Sequence, residues 1–138
     1  AGKVITDKIT NLGLKVSHYA IIPDEIKDIQ TTINQLCEDQ KELIILSGGT
    51  GLSNRDVTPE AIIPLLDRRI PGIEEAIRSY GQQRTAYAML SRSVVGFKGN
   101  TLIMALPGST AGASESIDAV FPSVLHLFQL LNGFNHGQ

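Results

Sequence analysis

Residues 43–56 read Leu-Ile-Ile-Leu-Ser-Gly-Gly-Thr-Gly-Leu-Ser-Asn-Arg-Asp. A short, unbroken apolar run such as Leu43 to Leu46 is the pattern of a strand covered by helices on both faces. Here it passes straight into Ser47-Gly48-Gly49-Thr50-Gly51, where glycine lets backbone approach a ligand closely and turn its N–H groups inward. Upstream, Ile26, Ile29, Ile33, Leu36 and Cys37 share one face of a helix between Asp24 and Asp39. Before it, Lys15 to Ile22 reads as a strand ended by Pro23-Asp24. Val4, Ile5, Ile9 and Leu12 mark an opening helix stopped at Asn11-Gly13. Downstream, Thr58 as N-cap and Pro59 at the first helical position predict a helix to about Leu66. Pro71-Gly72 begin another helix running to Gly81.

Ser93–Phe97 and Thr101–Leu106 flank Lys98-Gly99-Asn100 and read as a β-hairpin. After Pro107-Gly108-Ser109-Thr110, helices are predicted over Gly112–Val120 and Pro122–Leu131, with a polar tail at 132–138. Alternating strands and helices predict an α/β domain with a mainly parallel sheet plus the hairpin, helices on both faces, spanning residues 1–131.

Composition narrows the function classes. The chain has 138 residues and a formal net charge of −2, without the basic run that a nucleic-acid partner requires. No stretch approaches the ~20 apolar residues of a membrane span, and no apolar signal-peptide core opens the chain. One cysteine, Cys37, excludes an intrachain disulfide and reads as helix-face packing. A cytoplasmic location is expected. His18, His126 and His136 have no ligand spacing, and Met89 and Met104 read as core filler.

Ligands of layered α/β domains bind beyond the carboxyl ends of strands, which here carry Pro23-Asp24, Ser47 to Asp56, and Pro107 to Thr110. The glycine loop is neither a P-loop nor a dinucleotide fingerprint, since no Lys-Ser/Thr pair follows it and the glycine spacing differs. Asp24 and Asp56 each follow a strand end or glycine loop, where two carboxylates can share a magnesium ion. By position alone Asp24 reads equally as a helix cap, and metal or phosphate chemistry is favoured for Asp56. Pro107, Gly108 and Ser109 bring backbone donors and a hydroxyl to a helix start, which is an anion site or an ordinary cap. Ser91 and Arg92 offer a donor and a positive charge, although an arginine by itself is more often a solvated surface group.

Ser-Gly-Gly-Thr-Gly-Leu-Ser-Asn-Arg-Asp-Val-Thr-Pro-Glu (47–60), Ala-Met-Leu-Ser-Arg-Ser (88–93), Lys-Gly-Asn-Thr-Leu-Ile (98–103) and Leu-Pro-Gly-Ser (106–109) together resemble the molybdopterin adenylyltransferases of the MogA/MoaB and gephyrin G-domain type. The resemblance runs to about Leu131. It implies a three-layer αβα sandwich, usually trimeric or hexameric, in which the terminal phosphate of molybdopterin attacks the α-phosphate of ATP and pyrophosphate leaves. It also implies that Asp24 and Asp56 are the acidic, Mg2+-associated catalytic positions. Ser47, Gly48, Gly49, Thr50 and Gly51 would line the pterin or nucleotide pocket, with Ser91, Arg92, Pro107, Gly108 and Ser109 beside it.

Two departures accompany the match. The family's usual opening strand and Ser-Asp pair are missing before Ala1, as in the remainder of a longer polypeptide fused to another cofactor-pathway domain. Arg69 stands where glutamate is commoner, which bears on surface pairing. Two other functions compete with catalysis of this kind. One is a molybdopterin-binding or scaffold module without turnover. The other is a competence-damage type nucleotide hydrolase, whose Gly-Gly-Leu-Gly-Pro-Thr pattern is not matched at Thr50.

Overall fold

The computed structural model describes residues 1–131 of the chain. Its sheet is built from β1 (Leu43–Ser47), β2 (Arg68–Arg69), β3 (Val94–Lys98) and β4 (Thr101–Leu106), in the order β1-β4-β3-β2. β4 runs parallel to β1, with Leu43 opposite Leu102 and Ser47 opposite Leu106. It runs antiparallel to β3, and β3 to β2. The domain is α/β with the predicted hairpin, but its sheet is mixed rather than mainly parallel. The single parallel pair comes from the long crossover between β1 and β4, whereas neighbours joined by a two-residue turn must run antiparallel.

Period-two patterning divides the core into two clusters. Leu102, Met104 and Leu106 of β4, with Val95 and Phe97 of β3, pack against α1 (Gly2–Asn11), α4 (Pro71–Gln82) and α5 (Thr110–Val120) through Ile9, Ile77 and Ile117. The alternate residues Ile103, Ala105, Val94 and Ile44 pack against α2 (Ile26–Glu38) and α3 (Thr58–Ile62) through Ile29, Ile33, Ala61 and Ile62. Helices therefore cover both faces, and β4 is buried along its whole length. α6 (His126–Leu131) extends the first cluster through Leu127 and Phe128. Cys37 is half-buried against the α2 side, and Met104 lies in the core.

Several expectations are corrected. Lys15–Ile22 is not a strand: it joins no ladder among the described residues, and its Val16, Tyr19 and Ile21 are exposed, as is His18. Alternating composition favours an extended chain, but a strand also needs a neighbour to take its backbone groups. β1, which is an edge strand among the described residues, does not reach it, and Lys41 Nζ to Ser17 Oγ is a side-chain tie only. Thr58 is the first residue of α3 rather than its cap, because its hydroxyl donates to the Gly48 carbonyl. That helix passes into a 3-10 turn over Ile63–Leu65. Asp24 does not cap α2, whose N-cap position is Glu25. Met89 is 66% exposed on a 3-10 helix, Ala86–Leu90, that the apolar spacing did not reveal. The predicted tail and His136 lie outside the described residues.

Arg69 finds a partner within its own neighbourhood. Its guanidinium donates to both oxygens of Glu74 at 2.9 and 3.0 Å, while Glu74 Oε2 accepts the Val95 N–H at 3.0 Å. The Glu74 side chain is thereby buried with its acceptors used, tying α4 to β2 and β3. Removing it leaves the Val95 N–H without a partner in the core. Glu74→Ala is therefore expected to lower stability by about 2 kcal/mol in urea unfolding, and Glu74→Gln, which keeps an acceptor, by less.

Candidate functional site

The carboxyl ends of β1 and β4 lie side by side because the two strands are parallel neighbours. The Gly48 N–H donates to the Leu106 carbonyl at 2.9 Å, joining the two outgoing loops. They also touch through glycine, since a Cβ on Gly108 would lie 3.1 Å from Gly48 Cα. A cavity of about 520 Å³ opens above this junction, lined by Gly48 to Leu52, Asp56, Tyr87, Leu90, Ser91, Pro107 and Gly108. Its size is that of a site for a small organic ligand.

The glycine loop presents one polarity to its surroundings. Thr58 takes two of its carbonyls, with Oγ1 donating to Gly48 O at 2.9 Å and the backbone N–H to Gly49 O at 3.1 Å. Arg92 takes the next two: its N–H donates to Thr50 O at 2.8 Å and its Nε to Gly51 O at 2.9 Å. Four successive carbonyls are consumed by two residues, while the N–H groups of Gly49, Thr50, Gly51 and Leu52 have no partner among the described residues. A run of free amides of this kind is an anion-binding concavity that needs no net positive charge. Gly49 holds φ at 70°, and a Cβ there would collide with Thr58 Oγ1.

Asp56 is half-buried on the cavity wall. Its Oδ2 accepts the Ser53 N–H at 3.0 Å, and Oδ1 has no hydrogen-bond partner among the described residues. One free carboxylate oxygen beside unpaired amides suits a magnesium ion that keeps most of its shell for water and phosphate oxygens. Ser91 Oγ lies 3.3 Å from both Thr50 Oγ1 and Ser93 Oγ, at the cavity wall. Its segment is held from behind by Arg78 Nη1, 3.1 Å from Ser93 O. Opposite the polar floor, Leu52, Tyr87 and Leu90 form an exposed apolar rim.

The structure thus brings Gly48, Gly49, Thr50, Gly51, Asp56, Ser91, Pro107 and Gly108 together around one cavity. Ser47 ends β1 just beneath it. Ser109 lines a smaller cavity of about 190 Å³ behind Tyr87, where its hydroxyl caps α5 by accepting the Gly112 N–H at 3.0 Å. Asp24 is exposed on the bend before α2 and does not line either cavity. The Arg92 guanidinium faces Glu60 and loop carbonyls rather than the cavity lining. No group of three or more His, Cys, Asp or Glu side chains able to hold a metal occurs among the described residues. Tyr87, Leu52 and Leu90 were not anticipated. Their only sequence signal is apolar side chains in polar, turn-rich surroundings.

With this geometry in view, comparison with known proteins is decisive. The sequence matches the family described as a probable molybdopterin-binding domain over residues 1–126. The chain belongs to this MogA/MoaB-like family of molybdenum cofactor biosynthesis. The MogA/MoaB-like domain is 36% identical over 99% of its length to a molybdenum cofactor biosynthesis bifunctional protein of Chlorobaculum tepidum. It is 44% identical over 85% of its length to gephyrin of Dictyostelium discoideum. The chain spans 44% and 16% of the lengths of those two relatives. Its fold superposes on the molybdopterin biosynthesis enzyme MoaB of Thermus thermophilus with a TM-score of 0.88 and 41% identity, covering 95% of this chain and 83% of that one. No helix among the described residues is long and apolar enough to cross a membrane.

Two outcomes follow from the loop geometry. Gly49→Ala forces a side chain into a left-handed residue and against Thr58, so thermal denaturation is expected to show a loss of at least about 2 kcal/mol. The hydrogen bonds from Arg92 hold the Glu60 carboxyl below the usual carboxylate range, and Glu60 raises Arg92 in turn. A lowered folded-state value means that the pair stabilises the fold above the ordinary glutamate value and loses that contribution as pH falls through the lowered one. Melting temperatures of the wild type and Glu60→Gln are therefore expected to differ near neutrality and to converge in acid.

Proposed function

We propose that this domain adenylylates the terminal phosphate of molybdopterin with Mg-ATP, as one module of molybdenum cofactor biosynthesis. The supporting observation is the loop whose four carbonyls face Thr58 and Arg92 while the amides of residues 49–52 remain free beside Asp56. In the step itself, a phosphate oxygen of molybdopterin forms a bond to the α-phosphorus of ATP. The bond from that phosphorus to the bridging oxygen breaks, and pyrophosphate leaves with the electron pair.

The amides of 49–52 stabilise the charge that builds on the phosphoryl oxygens, an electrostatic contribution that needs no rearrangement at the moment of reaction. Ser91 adds a hydroxyl donor at the wall, and the apolar rim of Leu52, Tyr87 and Leu90 covers a flat heterocycle. Asp56 would hold the magnesium ion of Mg-ATP, which when bound supplies charge neutralisation on the phosphates. Asp24, on the bend before α2, is the second acidic position of this reading. Asp56→Asn is expected to abolish molybdopterin- and ATP-dependent pyrophosphate release while the far-ultraviolet circular dichroism and melting temperature remain near wild type. Full turnover in that variant would remove the assignment.

A second reading is a module that holds molybdopterin without turnover. It is favoured by the position of Asp24 outside the cavity lining, which leaves Asp56 as the one carboxylate there among the described residues. Titration calorimetry separates the two: heat from molybdopterin with none from Mg-ATP, with and without the pterin, selects the binding module.

A further inference from the structure

The sequence offers Arg92 as a cation for phosphate, and its geometry is that of a strap. Nε donates to Gly51 O at 2.9 Å and Nη2 to Asp56 O at 2.9 Å, so one side chain holds both ends of the loop from Gly51 to Asp56. The outer face of the guanidinium is taken by Glu60, through Nη1 to Oε2 and Nη2 to Oε1. Glu60 sits in the first turn of α3, and α3 packs against α2 through Ala61 and Ile62 in the second core cluster. The strap is thus anchored to the body of the domain. Inside the span it closes lie the free amides of Gly51 and Leu52, and Asp56 with its carboxylate on the cavity wall.

Two consequences distinguish a strap from a ligand. A carbonyl oxygen at a phosphate site repels the anion, so fixing Gly51 O and Asp56 O on the side of Arg92 removes two wrong-signed dipoles from the cavity. Most of the guanidinium's donors are also committed to fixed partners, and a carboxylate neutralises its charge, so it has little left to offer a substrate.

We propose that Arg92 is a positioning residue, locked by Glu60, which sets the outward orientation of the loop carbonyls and thereby orders the amides and Asp56 for phosphate. The kinetic part of this inference rests on the adenylylation reading. The loop-ordering part does not.

Glu60 makes no contact with the cavity, which provides the test. If Arg92 bound phosphate directly, Glu60→Gln would free its charge and tighten Mg-ATP binding. If Arg92 is a strap, Glu60→Gln and Arg92→Ala weaken the same loop. Hydrogen exchange by mass spectrometry is expected to show the hydrogen-bonded loop amides of Ser53, Arg55 and Asp56 exchanging on the order of tenfold faster in both variants, with β4 amides unchanged. In steady-state kinetics kcat falls in Glu60→Gln and Arg92→Ala, the Glu60→Gln/Arg92→Ala double variant is no worse than Arg92→Ala, and Arg92→Lys does not restore the rate. Tighter Mg-ATP binding in Glu60→Gln, or unchanged exchange at Ser53, Arg55 and Asp56 in either variant, overturns the proposal. A wild-type protein without adenylylation activity would sink the proposed function, yet the exchange comparison would still decide the strap. Should Arg92→Ala fail to fold, Arg92→Lys and Glu60→Gln carry the same comparison.

Discussion

The site depends on one contact, the parallel pairing of β1 with β4 that sets two outgoing loops against each other. Parallel neighbours end at the same side of a sheet, so the glycine loop and the Pro107-Gly108 turn emerge together, locked by the Gly48 N–H to Leu106 carbonyl bond. A side chain on Gly108 would crowd the backbone of Gly48, its Cβ lying 3.1 Å from Gly48 Cα. Everything above the junction inherits its place from it: the free amides stand over β1, and Ser91, just ahead of β3, meets the Thr50 hydroxyl beside them.

The chemistry of this arrangement is electrostatic and comes mostly from the backbone. A net charge of −2 gives no general attraction for phosphate, so the binding proposed above rests on local dipoles. Thr58 and Arg92 turn the carbonyls outward, and the amides then act together as a fixed positive surface. Arg78 does similar work behind Ser91, and Glu74 behind β3. Polar side chains around the cavity largely hold backbone in place, and Thr50, Asp56, Tyr87 and Ser91 are the polar side chains that line it among the described residues.

Elements governed by local pattern were legible in the sequence. The apolar runs at 43–46 and 101–106, the Gly99 turn and the stripe of Ile29 and Ile33 all follow from spacing and burial. The glycine loop was legible as a site, and not only as a tight turn, because Asn54-Arg55-Asp56 follows it just before a helix. Features depending on distant partners were not. Lys15–Ile22 has the composition of a strand, but strand formation belongs to a pair of segments. Arg92 reads from sequence only as a positive charge near the loop, because its partners Gly51, Asp56 and Glu60 lie 32 to 41 positions away, beyond any local pattern. Likewise, Tyr87 and Leu52 join one cavity wall only through tertiary packing.

The β1–β4 pairing also bears on how the molecule assembles. β3 and β4 meet across a two-residue turn, whereas Lys41 and Thr101, bonded at the far end of β1, are 60 positions apart. Contacts of such separation carry the larger loop-closure cost, which favours the hairpin over β1 docking as the earlier unit. The two loops meet only through the β1–β4 pairing, so the cavity above them has no local precursor. A ligand held there would draw its stabilising effect from the completed chain alone.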